Sequence, residues 1–315
     1  MQSRVLITID TELSWRHYAA GGDWRAHLAK SFDPAGVGIS YQLERLREHQ
    51  LKACFFIDPM PAAIYGIEPI REMVEPILAA GQEVQLHLHP VWLDLAEGKA
   101  PRGFELTSFD APQQLELIEK GRQLLVDAGA PHPVAFRAGS YAANADTLRA
   151  LSRLGITFDS SHNGSHHPDP SALPLHRATI APARCCDVIE VPVGQIETAP
   201  GKLRHLQLCA VSTAELQAAL EHAAAHAHPV TTIVSHSFEL ASRDGLRRNR
   251  ILCRRFDKMC AFLGASASAL PTAHFTDLGD VPLGQPASPL ASRRTTTARR
   301  IVEQIWSNVR YEQRL

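Results

Sequence analysis

The chain lacks the features of a secreted or membrane-spanning protein. It enters the apolar run Val5–Ile9 almost at once, without the basic segment and apolar stretch of a signal peptide before it. No uninterrupted apolar run reaches the roughly 18 residues that a membrane helix needs. We therefore expect a cytoplasmic protein with no integral membrane segment.

The chain also lacks an excess of one charge sign. The formal net charge is -1 at pH 7, so no overall basic field favours nucleic acid or an anionic membrane. Hydrophobic residues make up 45% of the 315 residues, which is enough to bury a sizeable core and excludes global disorder. The length suits one α/β barrel of roughly 250 residues with extensions.

Cysteine pairs at metal-binding spacing are absent as well. The chain has six cysteines and no Cys-x-x-Cys motif, and a cytosolic setting argues against a disulfide framework. We expect these cysteines to be structural. Histidine, in contrast, is abundant, and its 16 residues invite a search for metal ligands.

Short apolar runs alternate along the chain with segments of helical period, which predicts parallel strands with helices packed outside them. The predicted strands are Val5–Ile9, Ala53–Ile57, Val84–Leu86, Val134–Phe136, Ile156–Phe158, Val188–Val193, Val230–Val234 and His274–Leu278. The predicted helices are Ile39–His49, Pro69–Ala80, Pro112–Ala128, Ala145–Leu154, Thr213–Ala227 and Leu246–Leu263. A doubly wound open sheet would show the same alternation. The residues at the strand ends favour a distorted (β/α)7–8 barrel of the α/β class.

The composition changes after residue 278. Prolines with nearby Gly and Ser predict a linker over residues 279–298. Helical spacing of apolar residues resumes beyond it, which predicts a C-terminal helix over residues 299–315 that docks on the body. The expected organisation is therefore one barrel domain over residues 1–278, a linker and a helix.

Polar side chains follow successive predicted strands. Active sites of α/β barrels form at the C-terminal ends of the strands. The polar residues at those ends are Asp10, Glu12, Asp58, His87, His89, Arg137, Tyr141, Asp159 and His236. Acid, histidine and arginine after one strand after another predict an active site at this edge of the sheet.

The types of these residues fit a metal-dependent hydrolase. His87 and His89 are two apart, so on an ideal strand they face the same side. With Asp10 or Glu12 they could form a His₂–carboxylate site for a divalent ion, with an open position for water. A second carboxylate would take the proton of the attacking water, and a histidine across the site would protonate the departing amine.

Five segments resemble the polysaccharide deacetylase family, also called the NodB homology or carbohydrate esterase family 4 type. They are TIDTE at 8–12, GQEVQLHLHP at 81–90, FRAGSY at 136–141, FDSS at 158–161 and VSHSF at 234–238. They occur in the family's order and together span roughly residues 4–240. The resemblance implies the barrel fold of that family and removal of an N-acetyl group from an amino sugar or glycan.

The resemblance also implies a role for each residue of the metal side of the site. Asp10 matches the acid that acts as general base, and Arg137 matches the arginine that holds this base. Glu12 matches the metal-ligating acid, and His87 matches the first metal histidine. One divalent ion is implied, with zinc as the default for nitrogen and oxygen ligands.

The remaining matches concern the leaving-group side. His236 matches the histidine that acts as general acid, and Asp159 resembles the aspartate that tunes it. Tyr141 lies where a backbone amide of the family helps to bind the oxyanion.

Two positions depart from the commoner pattern of the family. Thr11 separates two acids that are usually adjacent, which leaves open whether Asp10 or Glu12 binds the metal. Val91 stands four residues after His87, where the second metal histidine is usual, so His89 must serve in its place.

Some features allow a second interpretation. The histidine-rich segment 162–176 is either a polar loop over the barrel mouth or a second metal site. The basic run 243–255 is either the solvated face of an outer helix or a patch for an anionic substrate. Trp15, Tyr18, Trp24 and Trp92 could stack on a sugar or pack as a lid.

Three functions remain open. The first is N-deacetylation of a sugar or glycan, which could be nucleotide-linked or lipid-linked. The second is deformylation or hydrolysis of a small non-sugar amide at the same site. The third is a barrel without catalysis that binds a glycan or a partner, an alternative favoured by the departures at Thr11 and Val91. The sequence gives no sign of the oligomeric state.

Overall fold

The computed structural model describes residues 2–19, 21–99 and 103–311. Its strands are β1 (Arg4–Thr11), β2 (Ala53–Ile57), β3 (Glu83–Leu88), β4 (Ala135–Ala138), β5 (Phe158–Asp159), β6 (Ala183–Cys185), β7 (Val188–Glu190), β8 (Gln195–Ala199), β9 (Lys202–His205), β10 (Val230–His236) and β11 (Leu290–Ala291).

The helices cover the outside of this strand framework. They are α1 (Trp15–Ala19), α2 (Trp24–Ser31), α3 (Ile39–Glu48), α4 (Ala62–Tyr65), α5 (Glu68–Ala79), α6 (Val91–Ala96), α7 (Ala111–Asp127), α8 (Ala145–Arg153), α9 (Thr213–Ala225), α10 (Arg250–Ala265) and α11 (Arg294–Tyr311). In the described part of the chain, no helix is both long enough and apolar enough to cross a membrane.

An eight-stranded sheet forms a curled, incomplete barrel. The strand order within the described residues is β10-β1-β2-β3-β4-β5-β7-β6, and all neighbours are parallel except β6 and β7. The free side of β10 is partly covered by the chain around Gly194 and Leu208, whose amides donate to Thr232 and Val234 at 2.9 Å. The predicted distorted α/β barrel is therefore confirmed.

The local sequence explains the main elements. β1 has seven buried residues after Arg4, because strands covered on both faces need apolar or hydrogen-bonded side chains throughout. Helices begin at residues that cap them: Asp110 caps α7, Asn144 caps α8 and Ser212 caps α9, each as part of a capping box. These signals fix the alternation that brings the strand ends to one edge.

Several predicted elements need correction. His274–Leu278 is not a strand but contains a 3₁₀ helix, since Asp277 accepts from the His274 amide at 2.8 Å. The helix predicted from Leu246 begins at Arg250, because Asn249 caps it. The predicted linker contains β11, which pairs with β8 beside the unpredicted hairpin β8–β9.

The C-terminal helix starts at Arg294 rather than at residue 299. Residues 312–315, the last part of the predicted helix, lie outside the described residues. All six cysteines are free thiols.

Candidate active site

Three side chains of types that can bind a metal converge at the ends of β1 and β3. Oε2 of Glu12 lies 2.6 Å from Nε2 of His89 and 3.5 Å from Nε2 of His87. One ligand atom of each residue lies within 4.8 Å of the others, and this is the one such group of three that the described residues contain. Glu12, rather than Asp10, therefore joins the two histidines.

The surroundings prepare these histidines for a metal. Nδ1 of His87 lies 2.8 Å from the carbonyl oxygen of Arg137, so Nδ1 carries the proton and Nε2 keeps its lone pair toward Glu12. His89 needs the space left by Gly139, where an added Cβ would lie 2.4 Å from the His89 ring. Two imidazole nitrogens and one carboxylate form a donor set that fits a divalent ion such as zinc.

Asp10 lies beside this group but has a different partner. Its Oδ1 accepts a hydrogen bond from Nη1 of Arg137 at 2.7 Å, and both side chains are almost fully buried. Its Oδ2 faces Nε2 of His236 at 3.9 Å. One oxygen of Asp10 is thus held by Arg137, and the other faces the site.

The guanidinium of Arg137 is fixed on every side. Nη1 also donates to the Thr8 hydroxyl at 2.9 Å, Nε donates to the Ser160 carbonyl at 3.1 Å, and Nη2 donates to the Ser160 hydroxyl at 3.0 Å. The carbon Cζ of Arg137 lies 4.5 Å above the ring of Phe56. The serine after Asp159 therefore positions the arginine that holds Asp10.

The electrostatics favour charged acids at this position. Burial alone would raise the pKa of Asp10, but the charge of Arg137, with smaller contributions from the neighbouring His87 and His236, lowers it below its usual value. Burial likewise opposes the ionisation of Glu12, and the neighbouring His89 and His87 lower the pKa of Glu12 well below its usual value. Both carboxyl groups are ionised at neutral pH.

His236 is oriented by a residue that the sequence did not indicate. Nε2 of Gln207 lies 3.3 Å from Nδ1 of His236 and donates to Oε1 of Glu239 at 3.0 Å. Because a carboxylate can only accept, Nε2 of Gln207 must be the donor, and Nδ1 of His236 is the acceptor. The proton of the neutral His236 ring therefore lies on Nε2, toward Asp10.

Among the contacts of the described residues, none joins Asp159 to His236. The Ser161 hydroxyl donates to its Oδ1 at 2.7 Å, and its register partner across β5 and β7 is Glu190. Burial raises the pKa of both Asp159 and Glu190, and the charge of Asp159 raises that of Glu190 further, so we expect the two buried carboxyl groups to share one proton. The resemblance predicted Asp159 as the residue that tunes His236. Gln207 and Glu239 contact His236 instead.

Tyr141 lies at the mouth of the site on a strained turn. Ser140 and Tyr141 have φ values of 55° and 61°, in the left-handed region that such residues rarely adopt. The Tyr141 ring is stacked with His166, with 5.8 Å between the ring centroids. A cleft of about 930 Å³ runs from Tyr141 past His236 to Gln304.

The histidine-rich segment forms part of this cleft wall and does not form a second three-ligand group among the described residues. The Ser165 hydroxyl lies 2.8 Å from Nδ1 of His205, and Nε2 of His205 lies 2.8 Å from Oε1 of Gln207. Burial lowers the pKa of His205 to about 4, so this ring is neutral and supports Gln207. The histidine-rich segment is therefore linked to His236 through Ser165, His205 and Gln207.

Asp58 is a fully buried carboxyl group near His87 and His89. Nε1 of Trp92 donates to Oδ2 of Asp58 at 3.1 Å, and the Met60 amide donates to Oδ1 at 3.0 Å. Burial raises the pKa of Asp58 to about 6, against the opposing charges of His89 and His87. Trp92 is buried and belongs to a cluster of rings with Trp15, Tyr18 and Tyr65, which fits lid packing for Trp92.

No protein-family model and no curated protein matches the chain. Among solved structures, a candidate polysaccharide deacetylase from Mycobacterium smegmatis is 19% identical and has a TM-score of 0.56, with 91% of this chain and 95% of that chain covered. The chain has the fold of the polysaccharide deacetylases.

Two other solved structures, described as carbohydrate esterase family 4 proteins, have lower identities and lower TM-scores. A family 4 carbohydrate esterase from Streptomyces lividans, in complex with acetate, is 14% identical over 91% of this chain and 97% of that chain, with a TM-score of 0.42. A family 4 pseudoenzyme from Bacillus anthracis is 13% identical over 87% of this chain and 64% of that chain, with a TM-score of 0.46. At 19% identity, the likeness to the Mycobacterium smegmatis structure concerns the fold alone.

Proposed function

We propose that the protein is a metal-dependent hydrolase that removes an N-acetyl group from an amino sugar or glycan. One observation supports this most strongly. Glu12, His87 and His89 form a His₂–carboxylate group, and the Arg137-bound carboxylate of Asp10 lies beside it, facing His236. A metal-ligand set, a base and an acid are the parts that hydrolysis of an amide requires.

The metal ligands would be Glu12, His87 and His89, with zinc as the expected ion. Bound there, a divalent ion polarises the amide carbonyl and lowers the pKa of a water molecule. The hydrogen bond from His87 to the Arg137 carbonyl and the space beside Gly139 keep the two imidazoles in position.

Asp10 would be the general base. Its Oδ1 is held by Arg137, so Oδ2 can take a proton from the attacking water without movement of the side chain. The lowered pKa of Asp10 keeps it ionised and ready to accept that proton. The water oxygen then adds to the carbonyl carbon of the amide.

His236 would be the general acid. In its imidazolium form the ring gives the Nε2 proton to the amide nitrogen as the carbon–nitrogen bond breaks, which yields acetate and a free amine. Glu239 lies behind Gln207 and favours the positive ring.

Tyr141 would contribute its backbone amide to the negative oxygen that develops during the addition. The left-handed turn at Ser140 and Tyr141 brings this segment into the cleft. A cleft of about 930 Å³ is within the usual range for small-molecule sites and offers room for an amino sugar with a further group attached.

The test is an assay of the zinc-loaded protein against N-acetyl amino sugars, short N-acetyl glycans, sugar nucleotides, formamides and small acetamides. Release of acetate from the sugars, lost in Asp10→Asn, is the expected result. Turnover of formamides or small amides alone would replace the sugar substrate with the second class. No turnover of any amide by a protein that binds zinc would contradict the proposal and favour a binding function.

A further inference from the structure

Helix α11 packs on the body through polar residues. Nε of Arg300 lies 3.2 Å from Oε2 of Glu215, and these two side chains are 3% and 0% exposed. Nη2 of Arg255 lies 3.0 Å from Oε2 of Glu303. Soluble helices usually turn their apolar stripe inward and their charges outward, and α11 does the opposite.

Further inward contacts of α11 are also hydrogen bonds. Nε2 of Gln304 donates to the carbonyl oxygens of Cys209 and Ala210 at 3.2 Å. The Asn249 amide donates to the Ser307 hydroxyl at 3.2 Å. The sequence predicted that this helix docks, but its spacing gave no indication that the polar face would be the docking face.

The apolar stripe of α11 is therefore exposed. Its members are between 46% and 67% exposed, and they are Ile301, Val302, Ile305, Trp306 and Val309. Five large apolar side chains on one helix face form a contiguous patch of the kind that marks an interaction surface.

Basic residues of α10 flank this stripe. Arg250, Arg254 and Lys258 are exposed and line the same groove as Val302 and Trp306, a cavity of about 710 Å³. Arg250 and Arg254 belong to the basic run 243–255, for which the sequence left open a solvated face or a patch for an anionic substrate, and Lys258 follows it on the same helix. Their position beside an apolar stripe favours the anionic ligand.

We propose that the face formed by the α11 stripe and the α10 cations docks on an anionic lipid surface. Apolar side chains and a tryptophan can enter the boundary between headgroups and acyl chains, as in helices that lie on membranes. Arg250, Arg254 and Lys258 can reach the anionic headgroups beside them.

Charge distinguishes this occupant from a second copy of the chain. In a two-fold interface with the two α11 helices antiparallel, the cations of one α10 would approach those of the other, and like charges disfavour such a contact. An anionic lipid surface complements them. The net charge of -1 does not oppose this, because electrostatic attraction to lipid acts locally, within a Debye length of about 8 to 10 Å.

The proposed lipid-binding face, formed by the α11 stripe and the α10 cations, adjoins the cleft that contains His236. Gln304 and Ser307 of α11 line that cleft, while Val302, Ile305 and Trp306 lie on the outward side of the same helix. Docking through α11 would bring the cleft close to the lipid surface, within reach of a substrate that is itself attached to lipid. The binding step does not depend on catalysis and can be measured without it.

The test is co-sedimentation of the full chain with phosphatidylcholine vesicles and with vesicles that contain equal parts of phosphatidylcholine and phosphatidylglycerol. The expected result is about tenfold or stronger binding to the anionic vesicles, weakened by salt. Ile305→Gln with Trp306→Gln should abolish this binding, and both sites are exposed, so the fold should be retained.

A charge-reversal pair provides the matched control. Arg250→Glu, Arg254→Glu and Lys258→Glu should remove the preference for anionic vesicles. Lys120→Glu, Arg149→Glu and Arg153→Glu change the net charge equally on exposed positions of α7 and α8 and should keep it. Equal loss in both triple variants would overturn the proposed surface.

Analytical ultracentrifugation in the absence of vesicles separates the alternative occupants. A monomer that binds anionic vesicles supports the proposal. A dimer that dissociates on Trp306→Gln, with no vesicle binding by the wild-type chain, would overturn it in favour of a second copy. A monomer that binds neither kind of vesicle would overturn it in favour of a protein partner.

Discussion

Two buried arginine–carboxylate pairs serve different purposes in this molecule. Arg137 and Asp10 lie at the strand ends, and Arg300 and Glu215 lie under α11. Both pairs exclude water almost completely. Glu215, however, uses both oxygens, since Oε2 accepts from the Ser212 amide and hydroxyl at 2.9 Å and Oε1 lies 3.3 Å from Nε of Arg300.

Asp10 uses only one oxygen in a comparable way. Its Oδ1 accepts from Arg137, and its Oδ2 faces His236 across 3.9 Å. A buried carboxylate costs free energy unless it is paired and hydrogen-bonded. The difference indicates that Glu215 is a structural group, whereas Asp10 keeps an oxygen available for chemistry.

Asp10→Asn should have the largest effect. The amide side chain can still accept from Arg137 but cannot take a proton, so we expect turnover to fall by about a thousandfold. Acetate release at saturating substrate measures this. A variant with near-normal turnover and intact zinc binding would show that Asp10 is as structural as Glu215.

Glu215→Gln is the reciprocal change. It leaves the buried charge of Arg300 without its counter-ion, so the free energy of unfolding should fall by about 3 kcal/mol. Turnover per folded molecule should be unchanged below the new melting temperature. Urea titration measures the free energy of unfolding, and the acetate assay measures the turnover. A loss of turnover without a loss of stability would remove the contrast between the pairs.

Gly139→Ala tests the space that His89 requires. The added Cβ would lie 2.4 Å from the ring, so His89 must leave its present position, in which Nε2 lies 2.6 Å from Oε2 of Glu12. We expect zinc affinity to fall by about 10-fold to 100-fold, as for other losses of support around a metal ligand. Competition with a fluorescent chelator measures it. Gly139, unlike Gly155, has no positive φ, so strain of the backbone does not contribute at Gly139; Gly155→Ala, where a Cβ meets nothing within 4 Å, is the comparison and should leave the zinc affinity unchanged.

Gln207→Leu tests the support of His236. Nδ1 of His236 would lose its hydrogen-bond partner, so turnover should fall about tenfold while KM and zinc content change little. Asp159→Asn is the comparison, because Asp159 contacts Ser161 and Glu190 instead. A larger effect of Asp159→Asn on turnover would restore the role that the family resemblance implied.

Glu190→Gln should have the smallest effect and concerns pH. Asp159 and Glu190 have raised pKa values in the folded state, so the stability linked to their shared proton is present at low pH and is lost as the pH rises through those values. In the variant, the fall in the free energy of unfolding between low and high pH should be smaller by on the order of 1 kcal/mol. Melting temperatures from about pH 5 to about pH 9 measure it, and an unchanged slope would contradict the shared proton.

Much of the barrel and of the metal side of the site could be predicted from the sequence. Apolar runs such as Val5–Ile9 fix the strands, and parallel strands bring Glu12, His87 and Arg137 to one edge. Which acid joins the histidines could not be predicted, because the turn after β1 decides where Glu12 points. The structure gives that position to Glu12 and the arginine to Asp10.

Gln207 and the direction of α11 lay beyond sequence reasoning for different reasons. Gln207 follows the hairpin β8–β9, and no motif or period marks it, although Glu239 could have been noted three residues after His236. The stripe from Ile301 to Val309 has the same spacing whether it faces inward or outward. Its direction is decided by polar partners on the body, among them Glu215, Arg255 and the carbonyl oxygens bound by Gln304.

Metal binding tests the central claim most directly. Wild-type protein, a His87→Ala and His89→Ala double variant, and a His166→Ala and His167→Ala double variant would be loaded with zinc, desalted and measured by elemental analysis. We expect about one zinc per chain in the wild type and in the loop variant, and almost none in the His87 and His89 variant. Zinc retained without His87 and His89, or absent from the wild type, would contradict the proposed metal centre.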